Sequence, residues 1–299
     1  MSNRTVAIIL ASYNGAKYIG EQIRSILQQQ DVEIDLFIYD DCSSDNTVRI
    51  IKDLSAQNSR IFLIERQLGS GSAFKNFNLA IKEFDASRYD YIAFCDQDDI
   101  WLPEKLKTQI STIEAESLAG CSSSVEAFYT DGKVTYIDNA GSQTVLDFAF
   151  QGGGQGCTYV LTQTYFLALQ QLVRTANQLD IPHDWLAYSL ARTHGLKWKI
   201  LTQPLIRYRQ HDNVFGARSG LSGLRSRFSM LISKNFQRGR VALSNLLAEQ
   251  NPENLPLRRL KMANNFGRRL AFAWRYHRAF RRSDAHSLAM AVMYVAGYA

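Results

Sequence analysis

Residues 91–106 read YIAFCDQDDIWLPEKL. Tyr91 to Cys95 form an unbroken apolar run of strand length, which predicts a strand buried on both faces. It meets three carboxylates, Asp96, Asp98 and Asp99, and a helix is expected to begin near Pro103-Glu104-Lys105-Leu106. The same unit of apolar strand, polar turn and amphipathic helix occurs three times upstream. Val6–Ala11 leads through Ser12-Tyr13-Asn14-Gly15 to Ile19, Ile23, Ile26 and Leu27, a helical spacing. Ile34–Tyr39 leads through Asp40-Asp41-Cys42-Ser43-Ser44-Asp45 to Val48, Ile51 and Leu54, with Ser44 or Asp45 as the expected N-cap. Ile61–Ile64 leads through Gly69-Ser70-Gly71-Ser72 to Phe74, Phe77, Ile81 and Phe84. Short apolar strands alternating with amphipathic helices predict an α/β fold with a mostly parallel sheet flanked by helices. Ligands of such sheets bind outside the carboxyl ends of the strands, where these polar turns lie.

Downstream the rhythm loosens. Strands are expected at Ser124–Tyr129, Lys133–Ile137, Cys157–Leu161 and Trp198–Gln203, and a helix at Gln163–Leu179. Gly152-Gly153-Gly154 predicts a loop approached closely by backbone or ligand. Beyond Gly216 the pattern is helical, with a break at Asn251-Pro252-Glu253-Asn254-Leu255-Pro256.

The chain has 299 residues, 46% of them hydrophobic and 21% charged, which excludes a disordered tail, a collagenous repeat and a small disulfide-stapled domain. Its formal charge of +6 conceals a division. Residues 1–214 carry 19 basic and 25 acidic side chains; residues 215–299 carry 15 basic and 3 acidic ones. Cys42, Cys95, Cys121 and Cys157 show no CxxC spacing and read as small buried hydrophobes in a reducing compartment. Val6–Ala11 is too short for a signal peptide or a bilayer span. The apolar end, Ser287–Ala299, would either lie on a membrane surface or pack in a core.

Asp96 and Asp98, two apart in an extended segment, point to one side and suit a hard divalent cation that bridges phosphate oxygens. The alternative is a polar turn in which Asp99 caps the following helix. Asp41, beside Asp40 at a strand end, suits the ring N–H of a uracil or thymine base, or again a helix cap. Gly69, Gly71 and Lys75 offer a phosphate-cradling turn with a cation, a weak signal alone.

Three ordered segments, Ala11-Ser12-Tyr13-Asn14, Asp40 to Asp45 and Asp96 to Leu106, resemble the successive signatures of glycosyltransferase family 2. The form of the last, with His183-Asp184-Trp185 and Arg207-Tyr208-Arg209-Gln210-His211, is most similar to bacterial rhamnosyltransferases of surface polysaccharide synthesis. The resemblance spans about residues 4–215. It implies a GT-A fold, a nucleotide-diphosphate sugar donor (dTDP-L-rhamnose, or a UDP-hexose or UDP-N-acetylhexosamine), Mg²⁺ or Mn²⁺, and inversion at the anomeric carbon. By the same resemblance Ala11, Tyr13 and Asp41 would hold the nucleoside, Asp96 ribose and metal, and Asp98 the metal. Gly69 and Lys75 would face the donor, with Lys75-Asn76 where the family often has Arg-Asn. Asp184 would be the base that deprotonates the acceptor hydroxyl, its other reading being a helix N-cap. Arg209 would neutralise the diphosphate and His211 touch metal or phosphate. His183 reads as a structural histidine, and Trp101 and Trp185 as acceptor-pocket walls or core. Cys42 stands where glycine is commonest. A dinucleotide oxidoreductase is disfavoured because no GxGxxG follows the first strand.

Residues 1–215 are thus expected to form the catalytic domain, with a nucleotide-sugar half to about 110 and an acceptor half from 111. Residues 216–299 are expected to form a basic amphipathic helical extension. Arg225, Arg227, Lys234, Arg238, Arg240, Arg258, Arg259, Lys261, Arg268, Arg269, Arg275, Arg278, Arg281 and Arg282 stand there among apolar residues, a pattern favouring anionic membrane surfaces over a solvated face. No nucleic-acid recognition module is visible. With the family resemblance, this predicts a peripheral protein of the cytoplasmic membrane face, acting on a polyprenyl-linked glycan. The reading of another class is a membrane-bound scaffold that binds a nucleotide sugar without turnover.

Overall fold

The computed structural model describes residues 4–176, 181–210 and 234–297. The three upstream units and the strand after them fold as expected: β1 (Thr5–Ser12), α1 (Ile19–Leu27), β2 (Glu33–Asp40), α2 (Thr47–Ser55), β3 (Ile61–Glu65), α3 (Ala73–Glu83) and β4 (Tyr91–Cys95). β1 lies between β2 and β4, parallel to both, and Val6 to Leu10 are fully enclosed. With β6 (Gly120–Ser123), β9 (Val160–Thr162) and β10 (Trp198–Leu201), the sheet has the order β10-β6-β9-β4-β1-β2-β3, β9 running antiparallel to both neighbours. A mixed, mostly parallel sheet flanked by helices results.

A second, four-stranded sheet of order β5-β11-β7-β8 was not foreseen. Two-residue β5 (Ile100–Trp101) follows the acidic cluster and pairs antiparallel with β11 (Ile206–Gln210). The expected strand at 124–129 is β7 (Val125–Tyr129) of the small sheet; a strand that was not foreseen, β6 (Gly120–Ser123), precedes it in the large sheet. Ser124 turns between them, its N–H donating to Leu201 O at 2.8 Å. β8 (Val134–Ile137) and β10 (Trp198–Leu201) are slightly shorter than expected. A 3₁₀ turn at Gly156–Thr158 replaces the start of the Cys157–Leu161 strand.

Helix boundaries correct several expectations. α2 begins at Thr47, with Asn46 at the cap position; Asp45 instead accepts the Thr47 N–H at 2.9 Å from just outside. α4 (Lys105–Glu116) has Glu104 at its cap, so Asp99 is not a helix cap. α5 (Gln163–Thr175) starts as expected, with Thr162 Oγ1 accepting the Tyr165 N–H. It ends before Leu179, and residues 177–180 lie outside the described residues. α6 (His183–Thr193) follows Pro182. Cys95, Cys121 and Cys157 are buried as expected, but Cys42 is exposed. Trp101 and Trp185 are core residues: the Lys105 ammonium sits 3.9 Å above the Trp101 ring, and Trp185 Nε1 donates to Phe148 O at 2.8 Å.

The C-terminal helices are α7 (Lys234–Gln250), α8 (Leu255–Met262), α9 (Phe266–Tyr276) and α10 (Asp284–Val295). Asn254 and Asn265 cap α8 and α9, at the break predicted by Pro252 and Pro256 and at the next turn. Leu243, Leu247, Leu257, Phe272, Phe280 and Tyr294 join the core cluster that contains Phe94, Tyr159 and Trp185, so this end shares a core with the central sheet. The apolar C-terminal run packs in the core, one of the two alternatives considered for it: Met290, Ala291, Met293 and Tyr294 are buried, while Leu288 and Val292 are exposed.

Candidate active site

Three loops at the carboxyl ends of β1, β2 and β4 are stitched together by side chains. Asn14, in a left-handed conformation (φ 46°) that asparagine tolerates, accepts the Ser44 N–H at 2.8 Å and donates its own N–H to Ser43 Oγ at 2.9 Å. Gln97 holds the Tyr13 backbone from both sides, accepting its N–H at 2.9 Å and donating to its carbonyl at 3.0 Å. Asp40 is spent on structure: its carboxylate accepts from Ser12 Oγ and from the backbone and hydroxyl of Ser43. Cys42, between these groups, has φ 64°, which explains why glycine suits the position; here the cysteine pays that strain and its thiol reaches Arg66 O at 3.1 Å.

The loops enclose an open cavity of roughly 630 Å³. Ala11, Tyr13, Asp41, Gly69, Asp96, Asp98 and Arg209, all expected in the site, line it. Asp41 is buried and accepts from the Ser70 backbone (2.6 Å) and hydroxyl (2.8 Å), which ties the glycine turn to the strand end. Lys75 does not line the cavity. It is exposed on the first turn of α3, while its neighbour Asn76 takes the lining position and donates to Tyr39 O at 2.8 Å. His211 lies outside the described residues.

Sequence reasoning missed Gln97, Ser72, Asn76 and Tyr208 as lining residues. Gln97 stood in view between Asp96 and Asp98, but its partner is backbone 84 residues away.

The acidic cluster divides into two faces. Asp96 and Asp98 line the cavity. Asp99 points inward, accepting the Arg209 N–H at 3.0 Å, while Arg209 Nε donates to Asp98 O at 2.8 Å. The Arg209 guanidinium also pairs with Glu21 and lies 4.4 Å above the Tyr18 ring. Pairing of β5 with β11 brings these groups together.

Burial, and then repulsion from Asp98 and Asp184, push Asp96 up to about 7. Burial and the charges of Asp96 and Asp98 push Asp99 well above the usual carboxylate range. Donor atoms of Asp96, Asp99 and Cys157 lie within 4.8 Å of one another. Burial and the adjacent carboxylates keep the Cys157 thiol protonated, so it is a poor donor for a hard cation. The two cavity-facing carboxylates, Asp96 and Asp98, fit Mg²⁺ or Mn²⁺: both offer oxygen, and a cation would relieve their repulsion.

Asp184 opens α6, next to the cavity rather than in its wall, within electrostatic reach of Asp96. Burial pushes its carboxyl up to about 6, against backbone N–H groups of Trp185 and Gly156 that stabilise the charge. Trp185 N–H donates to it at 2.7 Å. His183 is buried between Phe77 (ring centroids 3.9 Å) and Phe94 (5.0 Å). Burial pushes it down to about 3, and neither ring nitrogen has a hydrogen-bond partner among the described residues, so it packs as a neutral ring. The glycine loop is as crowded as expected: a Cβ on Gly153 would stand 2.8 Å from Tyr188, and one on Gly156 2.6 Å from His183 Nε2.

A family model described as glycosyl transferase family 2 matches residues 7–167. The chain is 36% identical over 247 residues to the dTDP-rhamnosyl transferase RfbG of Shigella flexneri, covering 81% of this chain and 86% of that protein. It is 40% identical over 111 residues to the UDP-Glc:alpha-D-GlcNAc-diphosphoundecaprenol beta-1,3-glucosyltransferase WfgD of Escherichia coli, covering 37% and 42% of the two chains. Among solved structures, S. aureus TarS 1–349 shares the fold at a TM-score of 0.62 and 15% identity, covering 98% of this chain and 80% of that one.

Proposed function

The chain belongs to glycosyl transferase family 2, and on that premise we propose that it transfers L-rhamnose from dTDP-L-rhamnose to a hydroxyl of a growing cell-surface glycan, with inversion. The observation that carries the reading is the convergence of Ala11, Tyr13, Asp41, Asp96, Asp98 and Arg209 on one cavity at the strand ends. Similarity over most of the chain to a dTDP-rhamnosyl transferase supports the donor. Shorter similarity to a UDP-glucose enzyme supports a second reading, a UDP-hexose donor.

Asp41 accepts the pyrimidine N–H, Tyr13 covers the nucleoside, and Asp96 and Asp98 would hold Mg²⁺ or Mn²⁺. A bound cation would supply charge neutralisation for the departing diphosphate. Asp184 takes the proton of the acceptor hydroxyl. That oxygen forms the new bond to the anomeric carbon as the carbon–oxygen bond to the β-phosphate breaks, its electron pair leaving with dTDP. A base raised to about 6 is still ionised at neutral pH and holds a proton better than an ordinary carboxylate. Arg209 contributes by fixing the Asp98–Asp99 turn as well as by its charge.

Residues 1–110, joined by Arg209 of β11, bind the donor, and the rest of 111–215 binds the acceptor. A diphosphoundecaprenol-linked acceptor, as in the WfgD name, would put the reaction at the cytoplasmic face of the cell membrane. The decisive experiment measures nucleoside-diphosphate release from dTDP- and UDP-sugars with Mg²⁺, Mn²⁺ or chelator, with a lipid-linked glycan pool as acceptor. Metal-dependent turnover of dTDP-L-rhamnose is expected. Turnover of a UDP-sugar alone replaces the donor, and binding without turnover of any donor leaves the scaffold reading.

A further inference from the structure

The arginines of the C-terminal region serve two different purposes. Arg240 is buried, its guanidinium 5.6 Å from the Phe150 ring centre and 5.5 Å from that of Tyr294. Arg281 donates to Phe150 O at 3.1 Å; Arg282 donates to Gly152 O at 3.0 Å and pairs with Asp147 at 3.2 Å. These three cations bind the helices to the catalytic core and are not surface charge. Arg258, Arg259, Lys261, Arg268, Arg275 and Arg278, on or just after α8 and α9, are exposed.

Among those exposed cations runs an apolar stripe. Phe266, Leu270 and Trp274 recur every fourth residue on the outer side of α9, with Trp274 82% and Phe266 67% exposed. Met262, the last residue of α8, and Leu288 and Val292 of adjacent α10 are also exposed. The core-facing side of α9 is already satisfied by Phe272 and Ala273. Helix α9 is therefore apolar on two sides, and only one has a partner within the described chain.

We propose that the α8–α9 face, with Met262, Phe266, Leu270 and Trp274 as the inserted residues, docks onto an anionic lipid bilayer. Helix α9 then lies along the interface, its aromatic rings among the acyl chains and its arginines on lipid phosphates. Charge selects this occupant. A second copy meeting through the same face would set arginine against arginine, whereas an anionic surface neutralises them and takes up the exposed rings. No helix among the described residues is long and apolar enough to cross a membrane, so the arrangement is one of lying on the bilayer. This deepens the membrane reading above by naming the surface, and it stands on residues outside the active site.

The test is co-sedimentation of the full chain with phosphatidylcholine vesicles, with and without phosphatidylglycerol, free of glycan acceptor and nucleotide sugar. Binding is expected only with phosphatidylglycerol and should weaken with salt. The triple variant Phe266→Ser, Leu270→Ser, Trp274→Ser should lower the partition coefficient at least about tenfold. Arg268→Gln with Arg275→Gln and Arg278→Gln should lower it by a similar factor and flatten the salt dependence. Both variants should keep the parent's circular dichroism and its donor turnover in detergent, so that a misfolded variant is recognised. Donor turnover lost from the parent itself would instead count against the transfer reading. Absence of vesicle binding by the parent, undiminished binding by either variant, or loss of a dimer in place of lipid binding overturns the proposal.

Discussion

Two groups of carboxylates, Asp147 and the cluster after β4, differ in what faces them. Asp147 is fully enclosed and completely answered: the Tyr188 hydroxyl donates at 2.6 Å, Arg192 at 3.1 Å and Arg282 at 3.2 Å. Asp96 and Asp98 line the cavity and Asp99 turns inward to the Arg209 N–H, yet their charges repel one another, with Asp184 in electrostatic reach of Asp96. A buried charge that is paired serves structure; carboxylates held against mutual repulsion mark a place that a cation or a proton completes. The first site clamps a C-terminal arginine to the core, and the second opens into the cavity at the strand ends.

Three perturbations would break or sharpen that contrast. The largest effect is expected from Asp184→Asn, which removes the proposed proton acceptor and keeps its shape: transfer should fall by about 10²–10⁴ while donor binding persists. In the parent, activity should disappear as pH falls through about 6, because only the ionised carboxylate accepts a proton. Unchanged turnover of the variant in a steady-state assay removes Asp184 from the role.

Next in size is Asp147→Ala, which strands two arginines and a tyrosine hydroxyl. Denaturant unfolding should show a loss of about 3–5 kcal/mol. Its metal-dependent donor binding at low temperature should match the parent; if stability is unaffected, the clamp is not what joins the helices to the core.

The smallest effect has the opposite sign. Asp96→Asn should stabilise the metal-free protein by about 1 kcal/mol near neutral pH while impairing donor binding. The sign follows from linkage. A folded carboxyl at about 7, against an ordinary value of 3.8, binds more protons folded than unfolded between those values. Metal-free stability should therefore decline as pH rises through that window, and the variant should flatten the decline in thermal melts at fixed ionic strength.

Much of this was legible in the chain. Strand–turn–helix units follow from periodicity, so β1, β2, β3, β4 and their helices, and the carboxylates at their ends, could be placed before any contact was known. Ala11, Tyr13, Asp41, Asp96 and Asp98 meet in one cavity because parallel strands put their carboxyl ends on one side. The second sheet was not legible: β5 has only two residues and no period, and it exists because β11, about a hundred positions away, pairs with it. Lys75 and Asn76 show the same limit at the scale of one residue, since helix rotation about the Ser72 cap turns asparagine to the cavity and lysine to solvent.

By itself the sequence determined the alternation of elements, the carboxylates at strand ends and the separation of an acidic half from a basic end. These are local or summed properties, carried by residue order alone. Tertiary structure decided which of several identical groups does what: Asp99 turned to the Arg209 backbone while Asp96 and Asp98 face the cavity, and Arg240, Arg281 and Arg282 turned inward while Arg268 and Arg275 face out. Those assignments depend on strand register and helix rotation, which the packing of distant segments sets and no neighbour in sequence encodes.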